Sequence, residues 1–362
     1  NRNDLLGSGL TGSLPTFTQN TKLAELIVND NLLDGNIHNF NLPNLKVLFL
    51  HRNKFFGNIP SLSKCTLLEN FELGTNRLTG KLPDFGFFPK LVAFTINNNL
   101  ISDTLPRFKL NPLLLELWLH NNYFTGDMVD FEKDNPSLRR LTLDSNKLTF
   151  KNIIDNLAKN KNLVEVKNQW SQSKFSYAPQ QKIYADTTIN IPPCTDYTLD
   201  LKIDDTVTTS TYTWFKDGSP FMPPIKGTNK LTFKNFTSAN NGTYTVSITN
   251  PLAPQLTLES HPIRLTTSGA MASINNPRDT SLSCGLSFTL RPINGQNLTN
   301  PAYFTGSGRT GTQYNAGQVI TTSTILYAHS GTGNCADEDT FRILFVNPDF
   351  ILRPDTTEVQ HK

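Results

Sequence analysis

Long apolar runs are missing from this chain: no stretch approaches the ~18 consecutive apolar residues from which a membrane helix is read, so no membrane span is expected. Charge is thin as well. Acidic and basic residues make up 17% of the 362 residues and the formal net charge is +3. Lys and Arg never gather into runs, which leaves no footing for a nucleic-acid partner or an anionic membrane surface. Cysteine is scarce, and Cys65, Cys194, Cys284 and Cys335 form neither a CxxC pair nor a Cys/His cluster with zinc spacing. Neither a metal nor a cofactor is therefore expected. A GxSxG nucleophile motif is absent, no histidine stands in a catalytic context, and Gly306-Ser307-Gly308 does not lead into a helical pattern. The expectation is a protein that is not an enzyme, although spacing alone does not decide on a pair of glycosidase acids.

What the chain does have is a period. Leucines closing on an asparagine return at 24–35, 46–60, 69–83, 92–106, 115–126 and 139–150. Their asparagines, Asn31, Asn53, Asn76, Asn99, Asn122 and Asn146, follow one another at intervals of 22, 23, 23, 23 and 24 residues. A fixed period of this size around LxxLxLxxNxL is the signature of a leucine-rich repeat, in which each unit adds one short strand to a curved solenoid. Several units continue with a glycine and a proline, Gly12 with Pro15, Gly57 with Pro60 and Gly80 with Pro83. This resembles the plant-type LxGxIP subclass, which also occurs in bacterial surface proteins. Asp103, the Met128–Val129 pair and Phe150 depart from it. Gly9 occupies the asparagine slot of a partial repeat at 5–15, so the sequence opens inside the solenoid, and a cap or signal peptide is expected ahead of Asn1. The last unit lengthens to 25 residues between Leu138 and Leu163 and carries Ile153, Ile154 and Leu157 at helical spacing. Residues 150–180 are expected to form the C-terminal cap, with Asn146 marking the last regular unit.

The period assigns the exposed face. In LxxLxLxxN the leucines point inward, the asparagine turns the chain by pairing backbone groups, and the residues between alternate outward. A central column of the concave face then holds Ile27, Phe49, Glu72, Thr95, Trp118 and Thr142. Beside it run Asn29, His51, Gly74, Asn97, His120 and Asp144, and on the other side Glu25, Val47, Asn70, Ala93, Glu116 and Arg140. Phe49 and Trp118 are aromatic where a purely structural repeat would be polar, and aromatic anchors commonly dominate interfaces. They are the first candidate ligand contacts, with His51, His120, Glu72, Glu116, Arg140 and Asp144 as a polar and charged rim. His51 and His120 share a column but stand three repeats apart, about 14 Å at the usual strand spacing, too far for one zinc ion.

From about Lys182 the period gives way to alternation. The segments 197–203, 212–218, 231–236 and 240–250 resemble an immunoglobulin-like domain, with Trp214 as its buried tryptophan and Tyr244 as its tyrosine corner. Leu201 and Val246 stand where such domains carry inter-sheet cysteines, and Asn240 replaces the usual acid. Strand-like stretches at 283–290, 318–329 and 339–346, with a glycine-rich stretch at 305–317, resemble small Ig-like modules of secreted proteins from gliding Gram-negative bacteria. Cys284 and Cys335 share this segment and would pair in an oxidising compartment, whereas Cys65 reads as a small buried thiol and Cys194 has no evident partner. Asp204, Asp205 and the run Asp337-Glu338-Asp339 read as charged turns in preference to calcium ligands.

The expected fold class is thus mainly β: about seven repeats plus a cap, then two Ig-like β-sandwiches. The expected domains are 1–180, 181–267 and 268–350, with a tail at 351–362. The junction 266–273 reads as a linker, and Gly269 to Ala272 also resembles a cloning remnant. In function the chain reads as an extracellular or cell-surface recognition or adhesion protein with a protein ligand on the concave face. A carbohydrate ligand is the second choice, and a non-catalytic architectural or appendage module the third.

Overall fold

The structure is a computed structural model that describes residues 2–4, 9–160, 163, 175–267, 271–275, 277–283 and 286–346. The chain divides into two compact units, one of Asn1–Asp186, Asp200–Asn229 and Tyr244–Ile263, the other of Thr187–Leu199, Lys230–Thr243 and Arg264–Lys362. Residues 181–267 are thereby shared between the units. Cys284, Ser268 to Ala270 of the expected linker, and the tail at 351–362 lie outside the described residues.

The first unit is built on a parallel sheet of eight strands in sequence order, Arg2–Asp4, Glu25–Ile27, Val47–Phe49, Asn70–Glu72, Ala93–Thr95, Glu116–Trp118, Arg140–Thr142 and Phe175–Ser176. Each is short because only its middle residue must point inward, as Leu48, Phe71, Phe94, Leu117 and Leu141 do with no exposure at all. Behind them, phenylalanines from successive turns touch. Ring centroids lie 5.3 Å apart for Phe71 and Phe94, 4.7 Å for Phe85 and Phe94, and 4.6 Å for Phe85 and Phe108. This aromatic spine is one part of the hydrophobic core of the repeats, beside the buried leucines.

What holds the register is polar. Asn99 is buried; its Oδ1 accepts from Leu78 N at 2.9 Å, and its Nδ2 donates to Leu73 O at 3.1 Å, Ile96 O at 3.0 Å and Asn97 O at 3.3 Å. Asn53, Asn76, Asn122 and Asn146 repeat that pattern, each joining its own turn to the preceding one. Such bonding satisfies carbonyl and amide groups that a strand ending in a bend leaves unpaired. The bend itself is left-handed at the preceding residue: Asp30, Arg52, Thr75, Asn98, Asn121 and Ser145 all have φ between 53° and 58°. Only that conformation turns the chain sharply enough, and the asparagine bonds offset its cost.

The expected cap carries a strand of its own. Phe175–Ser176 adds one more parallel strand beside Arg140–Thr142. Gln180 then plays the asparagine part. Its Oε1 accepts from Leu148 N at 3.1 Å, and its Nε2 donates to Leu143 O at 2.9 Å and Tyr177 O at 2.7 Å. These are the positional equivalents of the bonds made by Asn146 to Phe124 N, Leu119 O and Leu143 O. The longer amide side chain completes a seventh rung after an insertion that includes the helix Phe150–Leu157.

That helix starts on a distant acid. Asp204, itself buried, accepts from Thr149 Oγ1 at 2.5 Å, Phe150 N at 3.1 Å and Lys151 N at 3.0 Å, filling the N-cap role from more than fifty residues away. The repeats carry two smaller parallel sheets as well, Thr11–Ser13 with Leu32–Asp34, and Phe56–Asn58, Arg77–Gly80 and Leu100–Ile101, whereas the later strands of this unit are antiparallel. Thr211–Lys216 pairs with 244–249 and with the short strands Ser219–Pro220 and Ile225–Lys226, and Thr257–Glu259 adds an edge. Trp214 and Tyr244 are fully buried, and Leu201 and Val246 are almost so.

In the second unit a five-stranded sheet runs in the order Thr280–Ser283, Asp337–Val346, Thr324–Ser330, Ala302–Gly306 and Thr310–Tyr314. Its first pair is parallel and the others antiparallel. Ile274, Leu290, Tyr303, Ile320, Leu326, Phe341 and Ile343 form the core. The expected Cys284–Cys335 bridge is corrected: Cys335 is bonded to Cys194, with the two Cα atoms 5.3 Å apart. Cys194 is held by its amide on Phe236 O at 2.7 Å, and Cys335 by its carbonyl on Ala272 N at 3.2 Å. These anchors bring the two thiols within bonding reach, and a thiol so used is closed to Cys284. Cys65 is free and buried, its Sγ 3.8 Å from Phe40 O, and burial pushes its thiol pKa up.

Candidate functional site

Register turns the short strands into straight rows. Ile27, Phe49, Glu72, Thr95, Trp118 and Thr142 stand opposite one another across successive strands, and so do Glu25, Val47, Asn70, Ala93, Glu116 and Arg140. In the strands from Val47–Phe49 to Arg140–Thr142 the middle residue is buried and both neighbours are partly exposed. Phe49 and Trp118 therefore stand on the open face of the sheet, at half burial, and not in the core. Ile27 differs, being buried at 8% exposure.

The candidate residues separate into two groups. Around Trp118, its Nε1 donates to Glu116 Oε2 at 3.2 Å, the Arg140 guanidinium lies 5.2 Å from the ring centroid, and the His120 ring is 6.1 Å away. His120 Nδ1 is 2.8 Å from Thr142 Oγ1. Burial lowers the His120 pKa, and the nearby Asp144 charge opposes that only in part, so the ring is neutral near pH 7. Asp144 in turn accepts from the Ser176 hydroxyl.

Around Phe49, the His51 ring is 5.8 Å away. His51 Nδ1 lies 3.2 Å from Glu72 Oε2 but without hydrogen-bond alignment, and His51 Nε2 lies 3.9 Å from Asp30 Oδ2. Arg52 pairs with Asp30 at 3.2 Å. Burial pushes the Asp30 carboxyl pKa up, but hydrogen bonds from Asn29 and Arg52 and the Arg52 and His51 charges together hold it below the usual value.

Between the groups lies a depression of about 320 Å³, lined by His51, Glu72, Gly74, Thr95, Glu116 and Trp118 together with neighbouring polar residues. It contains four of the eight candidate residues. Phe49, His120, Arg140 and Asp144 do not line it. Gly74 interrupts a row of larger side chains, Asn29, His51, Asn97, His120 and Asp144, and the Asn97 amide leans over it. A Cβ there would come within 2.6 Å of Asn97 Oδ1. Repeat arithmetic assigns Gly74 to the row, but only the three-dimensional neighbours show it as the floor of a depression. Asn98 and Thr75, which also line it, belong to the left-handed bend row, which alternation along the strand does not assign.

The chain is thus mainly β, and its first part is a β-solenoid with an open sheet face, consistent with a leucine-rich-repeat protein. No family model matches the chain, and none of the curated proteins matches it. Among solved structures, it is similar to a plant peptide hormone receptor, RGFR1 in complex with RGF2, at 29% identity and a TM-score of 0.37, over 38% of this chain and 23% of the receptor chain. A TDR receptor matches at 30% identity and a TM-score of 0.37, over 38% of this chain and 25% of that one. The Drosophila OTK extracellular domains 3-5 match at 11% identity and a TM-score of 0.23, over 46% of this chain and 64% of theirs. No helix among the described residues is long and apolar enough to cross a membrane.

Proposed function

We propose that this chain is an extracellular or cell-surface recognition and adhesion protein that holds a protein ligand on the open face of its repeat sheet. The β-rich segments after the solenoid act as Ig-like spacer modules of the kind found in bacterial surface proteins. The observation that carries the reading is Trp118, a large aromatic kept on the exposed row between Arg140 and Glu116 and beside a polar depression. A half-buried indole pre-positioned by a guanidinium and a carboxylate loses little rotamer freedom on binding, which is the property of an interface anchor. The Cys194–Cys335 disulfide supports an oxidising, exported setting.

Replacing Phe49 and Trp118 together by Ala tests this. Attachment to cells or matrix is expected to weaken by about tenfold or more while circular dichroism stays unchanged; full attachment by the folded double variant contradicts the sheet-face reading and leaves an architectural role. A carbohydrate ligand is favoured by one feature, the ring of amide and hydroxyl groups, Asn97, Asn98, Thr75 and Thr95, that surrounds the depression with Trp118. Binding on a glycan array that W118A abolishes would select that reading over a protein ligand.

A further inference from the structure

The depression is acidic and aromatic at once, and that combination specifies what enters it. Glu72 and Glu116 line it from strands separated only by Ala93–Thr95, with Trp118 on the same strand as Glu116. Of the basic side chains on its wall, Arg52 is already neutralised by Asp30 at 3.2 Å, and His51 faces the Glu72 carboxylate. Across the outward rows and the bend row, Glu25, Asp30, Glu72, Glu116 and Asp144 outnumber Arg52 and Arg140. The chain also shows which group its indole accepts: the Arg140 guanidinium lies 5.2 Å from the Trp118 centroid. A cation near an aromatic face and a carboxylate gains from both, because the ring quadrupole and the carboxylate act in the same direction.

We infer that this depression is a subsite for one basic side chain, Arg or Lys, of a protein partner, held between the Glu72 and Glu116 carboxylates with Trp118 alongside. This rests on the sheet-face reading of the preceding section and adds the chemistry of the residue recognised. Gly74 leaves room for the Asn97 amide, which walls the subsite. The two acids supply the charge, and a depression walled on several sides screens that charge less than open solvent does. Because Glu116 also accepts from Trp118 Nε1 at 3.2 Å, it orients the indole as well as facing the ligand. Gln at position 116 keeps that acceptor and removes only the charge.

The test is selection of random linear peptides displayed on phage against the full chain, followed by binding measurements on the recovered peptides. Peptides carrying Arg or Lys at one recurring position are expected. Changing that residue to Gln, or the protein by E72Q with E116Q, should weaken binding about tenfold or more, and raised salt should weaken it further. G74A, whose Cβ would displace the Asn97 amide from the wall of the depression without altering charge, should weaken the same peptides. Selected peptides that lose binding to F49A/W118A yet tolerate E72Q/E116Q, or a selection without a basic consensus, would overturn the subsite. Peptides indifferent to F49A/W118A would instead count against the sheet-face reading itself.

Discussion

In the repeat region, buried amides act as internal staples: Asn99 alone joins two turns through four backbone groups, and Asn122 and Asn146 do the same further along. In the closing β segment the ties are of another kind, an apolar core around Tyr303, Leu326 and Phe341 and a covalent link from Cys335 to Cys194. A solenoid needs its register repeated at every turn, because each unit rests only on its neighbours and a slip would carry the exposed rows into the core. A compact β segment needs its parts placed once. The candidate rows sit on the first kind of structure, where polar staples keep Phe49, Glu72 and Trp118 aligned across strands.

The largest expected effect is on the staples. Asn99→Ala leaves the Leu78 amide without its partner and takes one of two donors from the Leu73, Ile96 and Asn97 carbonyls, and should cost about 3–4 kcal/mol in urea denaturation. If Gln180 is the seventh rung, Gln180→Ala should cost about 2–3 kcal/mol and raise hydrogen exchange at Leu148; a neutral outcome would reduce it to a surface residue. Next comes the covalent tie. C194S/C335S should lower stability by roughly 3 kcal/mol, within the usual range for a disulfide, with increased exchange confined to the second unit; loss of protection in the repeats would break the contrast drawn above. Asp204→Ala should cost about 1–2 kcal/mol and fray the helix Phe150–Leu157, seen as faster exchange at Phe150 and Lys151.

The smallest effect concerns pH. Burial depresses the His120 pKa below 6.5, so the unfolded chain binds the proton more readily, and stability falls as pH drops from 6.5 through the folded value. His120→Gln should flatten that part of the pH profile of the urea midpoint; an unchanged slope would assign it to other groups, among them His329, whose pKa is also lowered by burial and by the Arg309 charge.

Much of this was legible in the chain. Asn31 to Asn146 carry a period, and period plus alternation assigns Phe49, Glu72 and Trp118 to one exposed row. Three features escaped. Gln180 follows Asn146 after 34 residues instead of about 23 and differs in side chain, so no period reaches it. A second buried amide row, Asn111, Asn135 and Asn160, bonds backbone carbonyls of the preceding turn, but earlier turns fill that slot with Leu42, Cys65 and Phe88, which hides the repeat. The disulfide joins cysteines from distant segments, and proximity in sequence favoured the wrong partner for Cys335. Gly74 shows a subtler limit: a missing side chain has meaning only through the Glu72, Asn97 and Trp118 that surround it.

Placing recognition on the open sheet face, and not on exposed apolar surface in general, is the central claim. Leu110 and Leu113, at 65% and 48% exposure on the loop before the strand Glu116–Trp118, offer apolar area off that face. Side-by-side attachment measurements on F49A/W118A and L110A/L113A, both verified as folded, test it most directly. The account expects the first pair to lose attachment by about tenfold or more and the second to attach like the parent chain. Loss in the second pair with full attachment in the first would contradict it.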